Sequence, residues 1–198
     1  AGSMTQPVSR SIIRADGTVL ISFDQSSLPE NMKQNNAEAR MVRHERRRAM
    51  QVDFQQVDWP NVSFAPKDAA WNWGGYAVIA VDIFNPENEP MDVCMRVDDD
   101  PSADGAVHCN TGSATIPARQ RGVVQVRFNT GTEKRFWGMR GIPQFVKPRQ
   151  TVVLGAVGQG PVIDPSHIPA FQVFLPRPVK PHSLIIEEVR LFGKGASD

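Results

Sequence analysis

The sequence predicts an all-β protein built as an antiparallel β-sandwich, on three observations. First, short runs in which apolar and polar residues alternate recur along most of the chain, and this period of two is typical of half-buried strands. Second, glycine, proline and asparagine separate nearly all of these runs, as turns between short strands require. Third, strands and helices do not alternate along the chain, so we expect no parallel sheet with crossover helices.

Nine runs are predicted to be strands, at the spacing expected of a sandwich. The run 76–84 (YAVIAVDIF) is apolar throughout in one register and ends at the turn signal Asn85-Pro86. The run 91–97 alternates methionine or valine with polar residues or cysteine. The other predicted strands are 18–23, 50–54, 113–116, 123–128, 151–157, 170–175 and 184–192.

Segment 37–50 is the one stretch with a helical pattern, although Arg47 and Arg48 make it poorly amphipathic. We therefore expect at most one or two short helices, with this one leading into a strand. The run Arg46-Arg47-Arg48 is interpreted as a solvated approach to that strand.

Composition limits the classes of partner and the number of domains. The 198 residues carry 22 Lys and Arg against 21 Asp and Glu, a formal net charge of +1. This balance gives no electrostatic footprint for nucleic acid or for an anionic membrane surface. No apolar run is long enough to predict a membrane-spanning helix. Residues 1–4 (AGSM) are interpreted as a cloning remnant, and residues 5–198 are predicted to form a single module.

Cys94 and Cys109 are the only cysteines, too few for a disulfide scaffold. They flank a turn-rich segment, so we expect an antiparallel pairing of the flanking strands to bring them close in space. They could form a disulfide, which would suit an oxidising compartment, or stay buried as free thiols. The sequence leaves both possibilities open.

The chain shows no recognised catalytic signature and is predicted to be non-catalytic. GxSxG, HExxH, a phosphate-binding glycine loop and CxxC are all missing from the sequence. The run Asp98-Asp99-Asp100 has three interpretations: a solvated turn, a contact to calcium or sugar, and a catalytic carboxylate pair. The turn is favoured, because three adjacent aspartates after a strand do not all point inward.

The aromatic residues are the first candidates for a binding site. Trp71 and Trp73 are expected to share one side of an extended segment. Trp59, Trp73 and Tyr76 are interpreted mainly as packing or core residues, because large aromatic side chains usually fill cores.

A glycine-containing loop at 136–143 (FWGMRGIP) carries the predicted carbohydrate contacts Trp137 and Arg140. Loops on a rigid sandwich are common places for binding residues. An indole offers a stacking face for a sugar ring, and a guanidinium offers fixed donors for its hydroxyls. Asn72 and Asp99, at strand ends, are predicted as weaker contacts on the same rim.

Five stretches carry the most distinctive sequence: WPNVSF (59–64), WNWGGYAVIAVDIFNPENEPMDVCMRVDD (71–99), WGMRGIP (137–143), IDPSHIPAFQVFLPRP (163–178) and LIIEEVRLFG (184–193). They resemble the N-terminal carbohydrate-binding-like domain of β-agarases, over roughly residues 12–193. The resemblance implies a galactose-binding-like jelly-roll sandwich that precedes a catalytic (β/α)8 barrel.

Further expectations follow from this resemblance. They include a galactan polysaccharide as partner, an exported protein in the periplasm or outside the cell, and hydrolysis by the barrel rather than by this chain. Two functions stay open, namely a module that binds agarose-like galactan and a structural domain that packs on the barrel with no sugar affinity.

The resemblance also implies a structural calcium ion near both chain ends. Asp24 follows the first predicted strand, and Glu187 or Glu188 lies in the last one. Hard carboxylate oxygens suit this ion.

Overall fold

The computed structural model describes residues 17–131 and 156–193, and this part of the chain contains twelve β-strands and no helix. Accordingly, it has no helix that could cross a membrane. The strands are β1 (Thr18–Ser22), β2 (Lys33–Asn35), β3 (Ala37–His44), β4 (Arg47–Phe54), β5 (Asn61–Phe64), β6 (Tyr76–Phe84), β7 (Met91–Asp98), β8 (Cys109–Ile116), β9 (Arg121–Arg127), β10 (Ala156–Gln159), β11 (Ala170–Phe174) and β12 (His182–Gly193).

The strands form two six-stranded antiparallel sheets, which confirms the predicted sandwich. Sheet A has the order β3-β4-β12-β6-β9, with β1 paired to β12. Sheet B has the order β10-β8-β7-β11-β5-β2. The chain changes sheets between β6 and β7 and again between β8 and β9, so the two sheets are built together rather than one after the other.

The core lies between the two sheets and is made by alternate residues of their strands. In β6, for example, Ile79, Val81 and Ile83 all point into it and are fully buried. Trp73 is 2% exposed and stacks on Phe128, with 5.8 Å between the ring centroids. The predicted core role of Trp73 is therefore confirmed.

The predicted helix over 37–50 is wrong, because this segment forms a hairpin of β3 and β4. Glu45 and Arg46 make its two-residue turn and have φ angles of 45° and 69°. Strand β4 also pairs with β12 along its second half, from Met50 to Phe54. This tertiary pairing overrides the helix propensity of the local residues.

The predicted proximity of Cys94 and Cys109 is also wrong. The register of β7 and β8 places Asp98 opposite Cys109, whereas Cys94 faces Ser113. Four residues of strand therefore separate the two cysteines, or about 13 Å at about 3.3 Å per residue. Both thiols are buried and free.

Most predicted strands are confirmed with small shifts at their ends, and β6 has the predicted bounds. Strands β2, β3 and β5 were not predicted. The predicted strand 151–157 is described only from Ala156, where β10 begins.

Candidate functional site

The outer face of sheet B carries a row of polar side chains across five strands. Phe171 and Val173 point into the core, so Gln172 between them points outward. The strand register aligns Gln172 with four other residues, and together they form what we call the polar row: Lys33, Ser63, Gln172, Arg96 and Thr111. The row spans about 19 Å, since neighbouring strands lie about 4.8 Å apart.

Arg96 and Asp98 form a bidentate ion pair on this face. The Arg96 Nε atom lies 2.7 Å from Asp98 Oδ1, and Nη2 lies 3.0 Å from Oδ2. Burial raises the pKa of the Asp98 carboxyl, while the Arg96 guanidinium acts in the opposite direction. The pair fixes the guanidinium and the carboxylate side by side on this face.

Trp59 lies just before β5, beside the same face, and is 49% exposed. Its ring packs edge-on against Phe174, with 5.9 Å between centroids, and the Arg177 guanidinium lies 5.6 Å from its centroid. The Trp59 carbonyl accepts a hydrogen bond from Asn61 Nδ2 at 3.0 Å. These contacts hold a large apolar ring at the surface, next to polar groups.

The backbone at Trp59 is strained, since its φ of 60° lies in the left-handed region. A bulky L-residue in this region costs of order 1 kcal/mol or more. Such strain persists only where the surrounding contacts maintain it, and it concentrates at functional sites. The interpretation of Trp59 as a packing residue is therefore only partly right.

The structure brings the predicted residues Asn72 and Asp99 to one end of the sandwich, where both border the loop before β11. Trp73 N donates to Pro165 O at 2.7 Å, next to Asn72. Asp99 Oδ2 accepts a hydrogen bond from Asp164 N at 2.8 Å. The two residues thus lie against the same loop, as the predicted rim requires.

The side chains of Asn72 and Asp99 have structural partners at this rim. Asn72 Oδ1 accepts from Gly74 N at 3.0 Å, and Asp99 Oδ1 lies 3.2 Å from His108 Nδ1. The backbone carbonyl of Asp99 lies 3.2 Å from His167 Nδ1. These contacts show that both residues stabilise loops, and a ligand contact by either stays a prediction.

The predicted contacts Trp137 and Arg140 lie outside the described residues. Their segment lies between β9 and β10 in the sequence, and β10 is the edge strand of sheet B beside β8.

One of the predicted calcium ligands, Glu187, has a basic partner in this structure. Both carboxylate oxygens of Glu187 lie 3.0 Å from Arg121 Nε, so a cation already occupies this carboxylate. Asp24 is exposed. Among residues 17–131 and 156–193, no group of three His, Cys, Asp or Glu side chains could hold a metal ion. Calcium binding by this chain stays an untested prediction.

Sequence reasoning missed the polar row and the exposure of Trp59. One signal was available, since Arg96 lies near the end of a predicted strand and Asp98 directly follows that strand, so in an extended chain the two share a face. The remaining members of the row come from strands distant in sequence, and only the sheet register aligns them.

The fold, two antiparallel sheets packed as a sandwich, is an architecture that lectin-type, sugar-binding domains use. Residues 22–198 match the family model described as "Agarase CBM like domain". The chain therefore belongs to this family, and it is a non-catalytic, module-type domain.

Similar proteins agree with this assignment. The chain is 24% identical over 187 residues to Beta-agarase B of Vibrio sp. (strain JT0107), covering 88% of the chain and 18% of that protein. It also resembles the structure of an exo-beta-agarase, at 18% identity and a TM-score of 0.71, covering 91% of this chain and 25% of that one. The chain thus spans a quarter or less of the length of these agarases.

A module of nearly the same length has the same fold. The Clostridium thermocellum family 11 carbohydrate-binding module, solved with a beta-1,3-1,4-mixed-linked tetrasaccharide, is 12% identical, with a TM-score of 0.53. The match covers 91% of this chain and 98% of that module. At this identity the likeness concerns the jelly-roll sandwich fold.

Proposed function

We propose that this domain recognises an agarose-like galactan and assists an attached glycoside hydrolase. The observation that carries the proposal is the half-exposed, strained Trp59 beside the polar row of sheet B. The attached enzyme would be a C-terminal (β/α)8 barrel in the parent protein, which would be exported because its polymer lies outside the cell.

The chemistry of this face suits a neutral polysaccharide. A pyranose ring has an apolar C–H face, which an exposed indole can cover, and a rim of hydroxyls that both donate and accept hydrogen bonds. Arg96 and Asp98 neutralise each other, and Gln172 adds an amide donor and acceptor. The face therefore offers hydrogen bonds with little net charge.

The family relationship supports a galactan as the polymer, because relatives are named as agarases. The family 11 module adds support for sugar binding by this fold, since it was solved with an oligosaccharide. The segment carrying Trp137 and Arg140 precedes β10 in the sequence. In β10, Gln159 is paired with Thr111 of the polar row. We propose that Trp137 and Arg140 extend the same surface, with Asn72 and Asp99 on the adjoining rim.

Affinity electrophoresis of this chain in native gels with and without agarose tests the proposal. Wild type should be retarded by agarose, and Trp59→Ala should lose affinity about tenfold or more, as expected for an anchoring aromatic residue. Trp59→Phe keeps a stacking face and should retain most of the retardation. Trp137→Ala tests the second part of the surface in the same gels.

Two results would contradict the proposal. Wild type that migrates equally in both gels would leave the alternative function, a structural domain without sugar affinity. Unchanged retardation of Trp59→Ala, with its melting temperature preserved, would remove Trp59 from the binding surface and with it the observation that carries the proposal.

A further inference from the structure

The tip of the β3–β4 hairpin carries a cluster of arginines that the proposed sugar face does not use. We call Arg43, Arg46, Arg47 and Arg48 the basic tip. All four side chains are exposed. In the part of the chain that the structure describes, none of them forms an ion pair, whereas the nearby Arg40 pairs with Asp53.

The strand register places like charges directly opposite each other in this hairpin. Arg43 faces Arg48. Like charges in directly opposed positions destabilise an antiparallel pair. The turn adds to the cost, because Glu45 and Arg46 both have left-handed φ angles that glycine or asparagine would adopt more easily. A local conflict of this kind points to a function for the side chains.

Other contacts hold the basic tip against sheet A. Glu45, the one acid of the turn, pairs with Arg121 of β9, which also binds Glu187 of β12. The His44 ring packs on Phe84 of β6, with 4.4 Å between centroids. These contacts anchor the backbone of the tip over β12. None of these contacts involves the side chains of the four arginines.

A cleft of about 240 Å³ opens beneath the tip, and Arg47 and Arg48 line its edge. The acids in the cleft are already paired. Glu187 binds Arg121 at 2.9 Å, and Asp82 accepts a hydrogen bond from Arg190 Nη2 at 2.5 Å. Four acids line the cleft and two arginines, Arg121 and Arg190, pair with them, so the four arginines of the tip leave a local surplus of two positive charges.

We propose that the basic tip binds sulfate ester groups on a galactan chain. The inference rests on the proposed function, because it takes the same class of polymer as ligand. Guanidinium groups donate paired N–H bonds that match the oxygens of a tetrahedral anion. The chain as a whole has a formal net charge of only +1, which favours a few anionic groups on a sugar polymer over the dense charge of nucleic acid.

Affinity electrophoresis with three polymers tests this inference: carrageenan as a sulfated galactan, neutral agarose, and duplex DNA at equal anionic charge. The test variant is R47Q/R48Q. The control K67Q/K180Q removes the same two charges from exposed sites outside the tip. At about 50 mM NaCl, R47Q/R48Q should lose carrageenan affinity by about tenfold, while the control stays near wild type. Added salt should remove the difference.

Agarose retardation should be the same in R47Q/R48Q and wild type, because the polar row lies on the other sheet. If agarose retards no variant, the proposed function fails, while the carrageenan comparison still reports on the tip. Equal losses by R47Q/R48Q and K67Q/K180Q would overturn the inference, as would wild type that does not bind carrageenan. DNA binding as tight as carrageenan binding would overturn the ligand class.

The melting temperature of R48Q gives an independent readout. Removing the Arg43–Arg48 repulsion should leave it unchanged or raise it. A clear decrease would show that Arg48 is needed for folding, and this result would contradict the conflict on which the inference depends.

Discussion

Gly112 of β8 gives a sharp test of how the two sheets meet. Strand β8 belongs to sheet B, and its backbone at Gly112 approaches β9 of sheet A. A Cβ atom at this position would lie 2.0 Å from the backbone oxygen of Gln125 and 3.0 Å from its carbonyl carbon. Ordinary contact begins at 3.4 Å, so the strands would have to separate by about 1.4 Å at this point.

The expected cost of Gly112→Ala follows from this displacement. Overpacking a well-packed interior typically costs about 1–3 kcal/mol, and the upper end applies because the obstacle is backbone rather than the flexible end of a side chain. For a domain of this size, about 3 kcal/mol lowers the melting temperature by roughly 6–12 °C. Thermal melting and urea unfolding of the variant would measure it.

Gly75→Ala is the matched control, because a Cβ atom there meets nothing within 4 Å. We expect its melting temperature to stay within a degree or two of wild type, or to rise slightly. If Gly112→Ala were as stable as Gly75→Ala, the close approach of β8 to β9 would be refuted. The sheet packing derived from it would then need revision.

Two further predictions concern the cysteines and Glu187. Burial, with the nearby Asp92 carboxylate adding to it, raises the pKa of the Cys94 thiol to about 11, so at about pH 8 only about 0.1% of it is thiolate. Thiol labelling of the folded protein should be slow and unfolding should release two free thiols, whereas a disulfide detected by mass spectrometry would contradict the register of β7 and β8. Glu187→Gln should cost about 1 kcal/mol through its ion pair with Arg121, equally in calcium and in EDTA. A loss seen only in calcium would support the calcium prediction instead.

Strand β6 shows why much of the fold could be predicted from the sequence. Ile79, Val81 and Ile83 face the main core, and Val78 and Ala80 belong to a second buried cluster on the other side. A strand buried on both faces is a continuous apolar run, which needs no knowledge of its partners. Its predicted bounds were therefore right.

The hairpin of β3 and β4 shows where local reasoning fails. Its residues include alanine, glutamate and arginine, which favour helix in isolation. The choice of strand depends on pairing of β4 with β12, whose paired residues lie 128 to 136 positions later in the chain. The turn itself gave no glycine or asparagine signal, because Glu45 and Arg46 occupy it.

The candidate site could be predicted only in part, for the same reason. Trp71 and Trp73 share one side as expected, with 5.3 Å between their ring centroids. The polar row was not predictable, because its alignment depends on pairings among β2, β5, β11, β7 and β8. A shift of one residue in any of these strands would turn the corresponding side chain into the core.

Backbone strain links the two surfaces proposed here. Several residues other than glycine have left-handed φ angles, and most have a local explanation. The His108 ring contacts Asp99, and the Arg119 side chain donates to Asn88, so these side chains serve the fold. Arg46 makes no such contact among the described residues, and half of Trp59 faces solvent. Glycine would meet the backbone requirement at both positions at a lower conformational cost, and we propose that the large side chains are there to serve the two binding surfaces.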